Sequence, residues 1–285
     1  MSAYFEPWFE FKHPLVRQLA FVVASPNLIT HTPATLDIQH AFELHKDEHW
    51  IALYQQYLPR LNALDLHPQP LIDFLAQLKS TRLGLRFEYL MWFWLADSQY
   101  HHYQLLEHSL QIISGKNTLG ELDFVLLNTK TQEIEHWEVA LKYYLAETDL
   151  KLANWYGLNR SDTLARKLNH FTQKQFQFEQ AKQYNIQKRF AVIKGQLYIP
   201  LHHLKHQHAP LPNWVNISRR LGHWGHHIFK HDYYRLNRHE WICPNLQQSN
   251  DTALWWCNGL YRNIQTKHDY MFRQAPIVSI SVCNV

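Results

Sequence analysis

GELDFVLLNTKTQEIEHWEVALKYYL, residues 120–145, is the stretch on which the reading of this chain turns. Two runs, 121–128 and 133–145, are rich in β-branched, aromatic and aliphatic residues. A short polar connector, Thr129 to Gln132, separates them, so the pair reads as an antiparallel hairpin. Side chains alternate faces along a strand. Glu121 and Asp123 therefore share one face of the first strand, with Leu122 and Phe124 on the other. On the second strand Glu138, Ala140 and Lys142 share a face, opposite Trp137, Val139 and Leu141. Adjacent strands lie roughly 4.8 Å apart. Carboxylates at facing positions are then close enough to hold one hard cation, and two carboxylates plus water suit Mg²⁺ or Mn²⁺. Such an ion polarises a phosphoryl oxygen and generates hydroxide, while a neighbouring lysine orients water or stabilises charge on phosphate. The competing reading is an exposed strand face with cross-strand ion pairs. Against it stands the setting, since these charges lie amid Phe124, Val125, Leu126, Trp137, Val139 and Leu141, where an unpaired charge is costly.

Working outward, PLVRQLAFVVA (14–24) reads as a helix stopped by Ser25-Pro26. Residues 40–63 are helix-forming, and 70–79 begin with proline at a first-turn position. GLRFEYLMWFWL (84–95) is apolar apart from Arg86 and Glu88, which predicts a helix buried on most sides. Residues 104–113 contain an apolar stretch ending in Ile112-Ile113, with a turn at 114–117. Ser161 is a candidate N-cap for a helix carrying Leu164, Leu168 and Phe171. RFAVIKGQLYIP (189–200) reads as a strand pair turning at Lys194-Gly195. The expected architecture is mixed α/β, with a helical part over 1–80, a core over 81–200 and an irregular His- and Trp-rich extension over 201–285 packed on the core.

GELDFVL followed by HWEVALK resembles the catalytic hairpin of the PD-(D/E)XK nucleases, in which a metal-binding Asp is followed one strand later by an acid-x-Lys triplet. The Glu-x-Asp order is most like the resolvase and endonuclease branches. The resemblance implies a restriction-endonuclease-like mixed sheet flanked by helices. It also implies metal-dependent hydrolysis of phosphodiester bonds, in DNA before RNA. Asp123 and Glu138 would hold Mg²⁺ or Mn²⁺ with help from Glu88 or Glu121, and Lys142 would complete the catalytic set. Glu88 fits the further Glu that those branches place on an upstream helix. A protonated or capped core residue is the other reading of Glu88. The helix after the catalytic strands often approaches nucleic acid in this superfamily, which marks Arg160, Arg166, Lys167 and Gln173, with Lys174 and Gln175 beside them. One departure matters. Lys142 follows Glu138 by four residues, not two, with Ala140 at the usual place, a displacement of one pleat or roughly 6.6 Å. Either the side chains reach toward each other, or the site binds metal poorly and the fold serves as a module for binding nucleic acid or a protein partner. The chain as a whole also resembles a bacterial family known only as a domain of unknown function. That likeness runs through VRQLAFVVASPNLI, GLRFEYLMWFWL, GELDFVLL, HWEVALKYYL and NWYGLNRSDTLARKLNHFTQKQF.

Composition narrows the alternatives. Of 285 residues, 46% are apolar and 14% aromatic, enough to bury a core. A net charge of +4 permits nucleic-acid contact without demanding it. Three widely spaced cysteines, Cys243, Cys257 and Cys283, argue against a disulfide scaffold or a cysteine-rich zinc site. With only 8 Gly and no phosphate-cradling loop, a standard nucleotide cofactor is not expected, and no GxSxG elbow occurs. Metal spacing can be drawn through the histidine clusters at 202–208 and 223–227, but neither has a Glu where a helical zinc site requires one, and both sit in loop-like sequence. His45 and His49 are read as one helix face with Glu48 between, but the order is not HExxH. Trp214, Trp224, Tyr233, Tyr234, Trp241, Trp255 and Trp256 are expected to pack, with base stacking as the lesser reading. No secretory leader or membrane span is expected, and the reading is a cytoplasmic protein.

Overall fold

The computed structural model describes residues 4–147, 149–201, 210–229 and 232–276. The helical first part holds α1 (Pro14–Ala24), α2 (Asp47–Leu66), α3 (Gln69–Ala76) and α4 (Leu83–Ala96). Three long strands follow: β1 (Tyr103–Ser114), β2 (Asn117–Asn128) and β3 (Glu133–Ala146). They form an antiparallel meander, with Leu126 opposite Glu135 and Phe124 opposite Trp137. Gly115, at φ +60°, makes the tight β1–β2 turn. Next come β4 (Trp155–Tyr156) and α5 (Leu164–His170), then β5 (Gln180–Ala181) and β6 (Tyr184–Asn185), a separate small ribbon. This crossover returns the chain to β7 (Lys188–Pro200), parallel to β3 from Glu135↔Lys188 to Leu145↔Tyr198. A parallel neighbour requires such a long connection.

Two apolar layers follow from alternation on β3. Trp137, Leu141 and Leu145 pack with α1, α2 and α4, around the fully buried Trp50, Phe87 and Trp94. Ala140, Tyr144 and Ala146 face the other way, with Leu164, Leu168 and Phe171 of the α5 region. Glu138 lies at an even position of the same strand and so points to the α5 side.

Residues 188–200 form one continuous strand, where a turn at Lys194-Gly195 was expected. Lys194 is wholly buried, and its ammonium donates to Val22 O at 2.6 Å and Val23 O at 3.3 Å near the C-terminal end of α1. It also lies 3.4 Å from the centre of the Trp50 ring. Burial holds its pKa well below the usual lysine range. Gly195 has φ +125°, and a Cβ there would stand 2.0 Å from Lys142 O on β3. The glycine thus permits close approach of two strands and does not mark a turn. Gly195→Ala is expected to destabilise the protein by about 1–3 kcal/mol from backbone strain alone, with the steric clash adding to it. Urea unfolding checks this, and an unchanged midpoint would show that neither constraint operates.

The N-cap of α5 is Thr163, not Ser161; its Oγ1 accepts from Arg166 N–H at 3.1 Å. Ser161 instead donates through both N–H and Oγ to Asn159 Oδ1, in the turn before the helix. His45 precedes α2 and is not on a helix face with His49, although their rings stack at 4.2 Å. The C-terminal part is more regular than expected. β8 (Gly222–Gly225), β9 (Tyr233–Arg235), β10 (Gly259–Asn263) and β11 (Asp269–Phe272) extend the sheet in the order β1-β2-β3-β7-β8-β11-β10-β9, with β4 on the end of β3. These strands are three to five residues long, too short for their alternation to stand out among the loops. Trp214, Trp224, Tyr234, Trp241 and Trp256 are buried in packing, and Tyr233 packs against the last of them. Trp255 alone of the group is exposed, at 87%. Among the described residues no helix is long and apolar enough to cross a membrane. Cys243 is buried and Cys257 exposed, both as free thiols, while Cys283 lies outside the described residues.

Candidate metal centre

Strands β2 and β3 part after the pair Phe124↔Trp137. Carboxylates then take over the hydrogen bonds that a ladder would make. Val139 N–H donates to Asp123 Oδ2 at 2.8 Å, and Asp123 N–H reaches toward Glu138 Oε1 at 3.5 Å. Each carboxylate thus faces the other strand's backbone, and the charge of Glu138 raises Asp123. Beyond this fork the expected alternation fails, for Leu122 packs with Val125, Ala181 and Ile186 while Phe124 joins the helix-side core.

Glu138 is fully buried. Its Oε1 lies 2.7 Å from His136 Nε2, and its Oε2 accepts from Gln175 Nε2. Burial pushes the His136 pKa down to about 3, so the ring is neutral: its Nε2 accepts from the protonated Glu138 carboxyl or, as the other tautomer, donates to the ionised one. Burial pushes Glu138 up to about 8, opposed by the nearby charge of Lys167 and by its bonds to Asp123. Asp123 is also raised well above the carboxylate range, first by burial and then by Glu138. Two neighbouring carboxyls, Glu138 fully and Asp123 partly buried, cannot both ionise cheaply without a cation.

The cation beside them comes from α5. Lys167 sits three residues after Leu164 and four before Phe171, on the flank of the buried stripe. Its ammonium lies 4.0 Å from the centre of the Phe171 ring and donates to Gln175 Oε1 at 3.0 Å. Gln175 in turn donates to Glu138 and so bridges the two charges. Here the helix widens into a π turn, Phe171–Gln175, closed by Phe176 N–H on Phe171 O. Burial lowers the Lys167 pKa, while Glu138 and Asp123 pull it back up.

Lys142 shares the strand face of Glu138 but is committed elsewhere. Its Nζ bonds Asp162 Oδ2 at 2.7 Å, and Tyr144 Oη donates to the other Asp162 oxygen at 3.1 Å. The one-pleat displacement therefore carries Lys142 to the loop before α5, and the cation linked to Glu138, through Gln175, is Lys167. Glu88, on α4, accepts from His108 Nε2 at 2.9 Å and Ser109 Oγ at 3.1 Å, and its charge raises Asp123. Ser109 has φ +47°, a strained conformation for a non-glycine residue in a strand. Glu121 is exposed and acts on Glu138 only through its charge. Among the described residues no three His, Cys, Asp or Glu side chains converge at the spacing that holds one metal ion. That count includes His45, His49 and His223, His226 and His227; His202, His203, His206 and His208 lie outside the described residues.

Of the residues expected to meet nucleic acid, Arg160 pairs with Glu147 and covers the Tyr156 ring at 4.2 Å. Arg166 is exposed and bonds Ser161 O at 3.1 Å. Gln173 is partly buried and Lys174 exposed on the π turn. Reading the sequence missed the inward roles of Lys167 and Gln175 and the parts played by His136, His108 and Ser109. Lys167 alone carried a signal, its place on the edge of the Leu164–Leu168–Phe171 stripe.

A family model described as Domain of unknown function (DUF1853) matches residues 17–276. A search of curated proteins and a search of solved structures each found no match.

Proposed function

The chain belongs to the DUF1853 family, and from that premise and the site's geometry we propose that it is a divalent-metal-dependent phosphodiesterase acting on nucleic acid, DNA in the first instance. The observation that carries this reading is the pair of carboxylates at a strand fork, Asp123 bonded to Val139 N–H and Glu138 facing Asp123 N–H, with Lys167 linked to Glu138 through Gln175. Support also comes from the order of parts: a helix bearing an acid, a hairpin bearing Asp and Glu, then a helix bearing cations. That is the order the PD-(D/E)XK likeness implies, with the lysine supplied by the helix instead of the strand.

The donor set fits Mg²⁺ or Mn²⁺. Two carboxylates suffice for an ion that keeps several waters, and raised carboxyl pKa values are what an anionic pair shows before a cation neutralises it. Such an ion supplies Lewis acidity and an activated water. The chain's own residues do the rest. Val139 N–H and Gln175 fix the two carboxylates. His136 orients Glu138 from within the core. Lys167 places a positive charge where phosphate charge would develop.

A second reading, a non-catalytic module for nucleic acid or a protein partner, is favoured by the Lys142–Asp162 pair, which withdraws the strand lysine from the carboxylates. One experiment separates the two. Purified protein is incubated with linear, nicked and single-stranded DNA and Mg²⁺ or Mn²⁺, beside Asp123→Asn. Cleavage that the variant lacks is the expected result. No cleavage of any form, with nucleic-acid or partner binding that persists in EDTA and survives Glu138→Gln, would put the module reading first.

A further inference from the structure

A cavity of about 580 Å³ lies beside the α5 end of the site, lined by Arg82, Lys142, Asp162, Arg238 and Trp241 among others. Through Asp162 it adjoins a smaller hollow of about 240 Å³ that holds Arg166 and Lys167. Through Arg238 and Trp241 it adjoins a third of about 340 Å³ that adds Arg235. Among the described residues these three linings hold six Lys or Arg side chains and one carboxylate, Asp162. The whole chain has 28 Lys and Arg to 24 Asp and Glu, so composition does not account for the excess. The one carboxylate is already bonded to Lys142.

We propose that these linked hollows bind a single-stranded nucleic acid by its phosphates and lead it to the Asp123–Glu138 pair. The inference rests on the phosphodiesterase reading for its destination and deepens that reading by naming the substrate class. Arg82 and Arg238 are exposed. Arg238 lies over Trp241, its guanidinium carbon 4.0 Å from the ring centre, a contact that leaves guanidinium N–H groups free to meet phosphate. Trp241, itself buried, braces the arginine and does not stack a base. Recognition is therefore of phosphate and independent of sequence. Separate concave hollows of this size admit a flexible strand one nucleotide at a time, whereas a duplex is too wide and stiff to enter them.

The test is a fluorescence anisotropy titration of the full chain with labelled oligothymidylate and with a blunt duplex of equal length. It is run in EDTA across a range of NaCl, so that no cleavage intervenes. The single strand is expected to bind more tightly than the duplex. Replacing both Arg82 and Arg238 by Ala is expected to weaken single-strand binding and to reduce the slope of log K against log salt by about 1.4, for two phosphate contacts. Lysine at both positions restores the slope, which a merely misfolded variant would not do. Equal binding of the duplex, or single-strand binding untouched by the alanine pair, overturns the inference. Metal-dependent cleavage scored separately keeps the two ideas apart. Binding with these dependences but no cleavage sinks the phosphodiesterase reading alone. Cleavage without them sinks the strand path alone.

Discussion

Lys167→Met is expected to lower the turnover of Mg²⁺-dependent DNA cleavage at saturating substrate by about 10²–10³-fold, the usual effect of removing one electrostatic stabiliser. Lys142→Met is expected to leave turnover within about tenfold of wild type, since exposed or half-exposed ion pairs such as Lys142–Asp162 contribute little. The contrast follows from position. The Lys167 ammonium bonds Gln175, which bonds Glu138, and its pKa responds to both carboxylates. Lys167→Arg separates charge from shape: it retains the cation but cannot keep a single Nζ bond to Gln175 over the Phe171 ring, so an intermediate rate is expected. Full activity in Lys167→Met with loss in Lys142→Met would return the catalytic lysine to the strand.

Stability of the metal-free protein is expected to fall as pH rises from about 4.5 to about 8, and divalent cations to reverse the fall. An unfolded glutamate titrates near 4.3, whereas folded Glu138 titrates at about 8, chiefly because it is buried. Its folded pKa lies above its unfolded one. The folded state therefore holds a proton that the unfolded state has released, and stability is fully present below the unfolded pKa and lost as pH climbs to the folded one. Asp123 is shifted in the same direction and adds to the loss. An ion that binds the ionised pair releases that proton, so its stabilising effect grows with pH. The measurement is the melting temperature at pH 5.5 and pH 8, with and without Mn²⁺. The increment should be larger at pH 8 and absent in Asp123→Asn, whose amide oxygen can still accept from Val139 N–H. The same variant should also be the more stable protein at pH 8 without metal, by a few kcal/mol at most. Equal increments at both pH values, or an increment retained in the variant, would remove the metal from this site.

Much of this protein was legible in its sequence, for a reason that can be stated element by element. α1, the buried α4 and the β2–β3 hairpin rest on local periodicity and on the proline and turn residues that bound them. The short connector and the register up to Phe124↔Trp137 made the nearness of Asp123 and Glu138 legible, but the fork beyond that pair, where side chains replace ladder bonds, was not. Long-range contacts decided the rest. Lys194-Gly195 reads as a turn until α1 supplies carbonyls for the lysine and β3 approaches too closely for a Cβ. Strands β8 to β11 are too short to show a period, and they exist because β7 offers them an edge. The cation nearest the carboxylates is the sharpest case. Strand alternation puts Lys142 on the face of Glu138, but only the docking of α5 across that face brings Lys167 to Gln175, and through it to Glu138. That docking depends on Leu164, Leu168 and Phe171 finding β3 and β7 across the crossover. Spacing along a strand sets which way a side chain points; burial against a distant helix sets what it meets there.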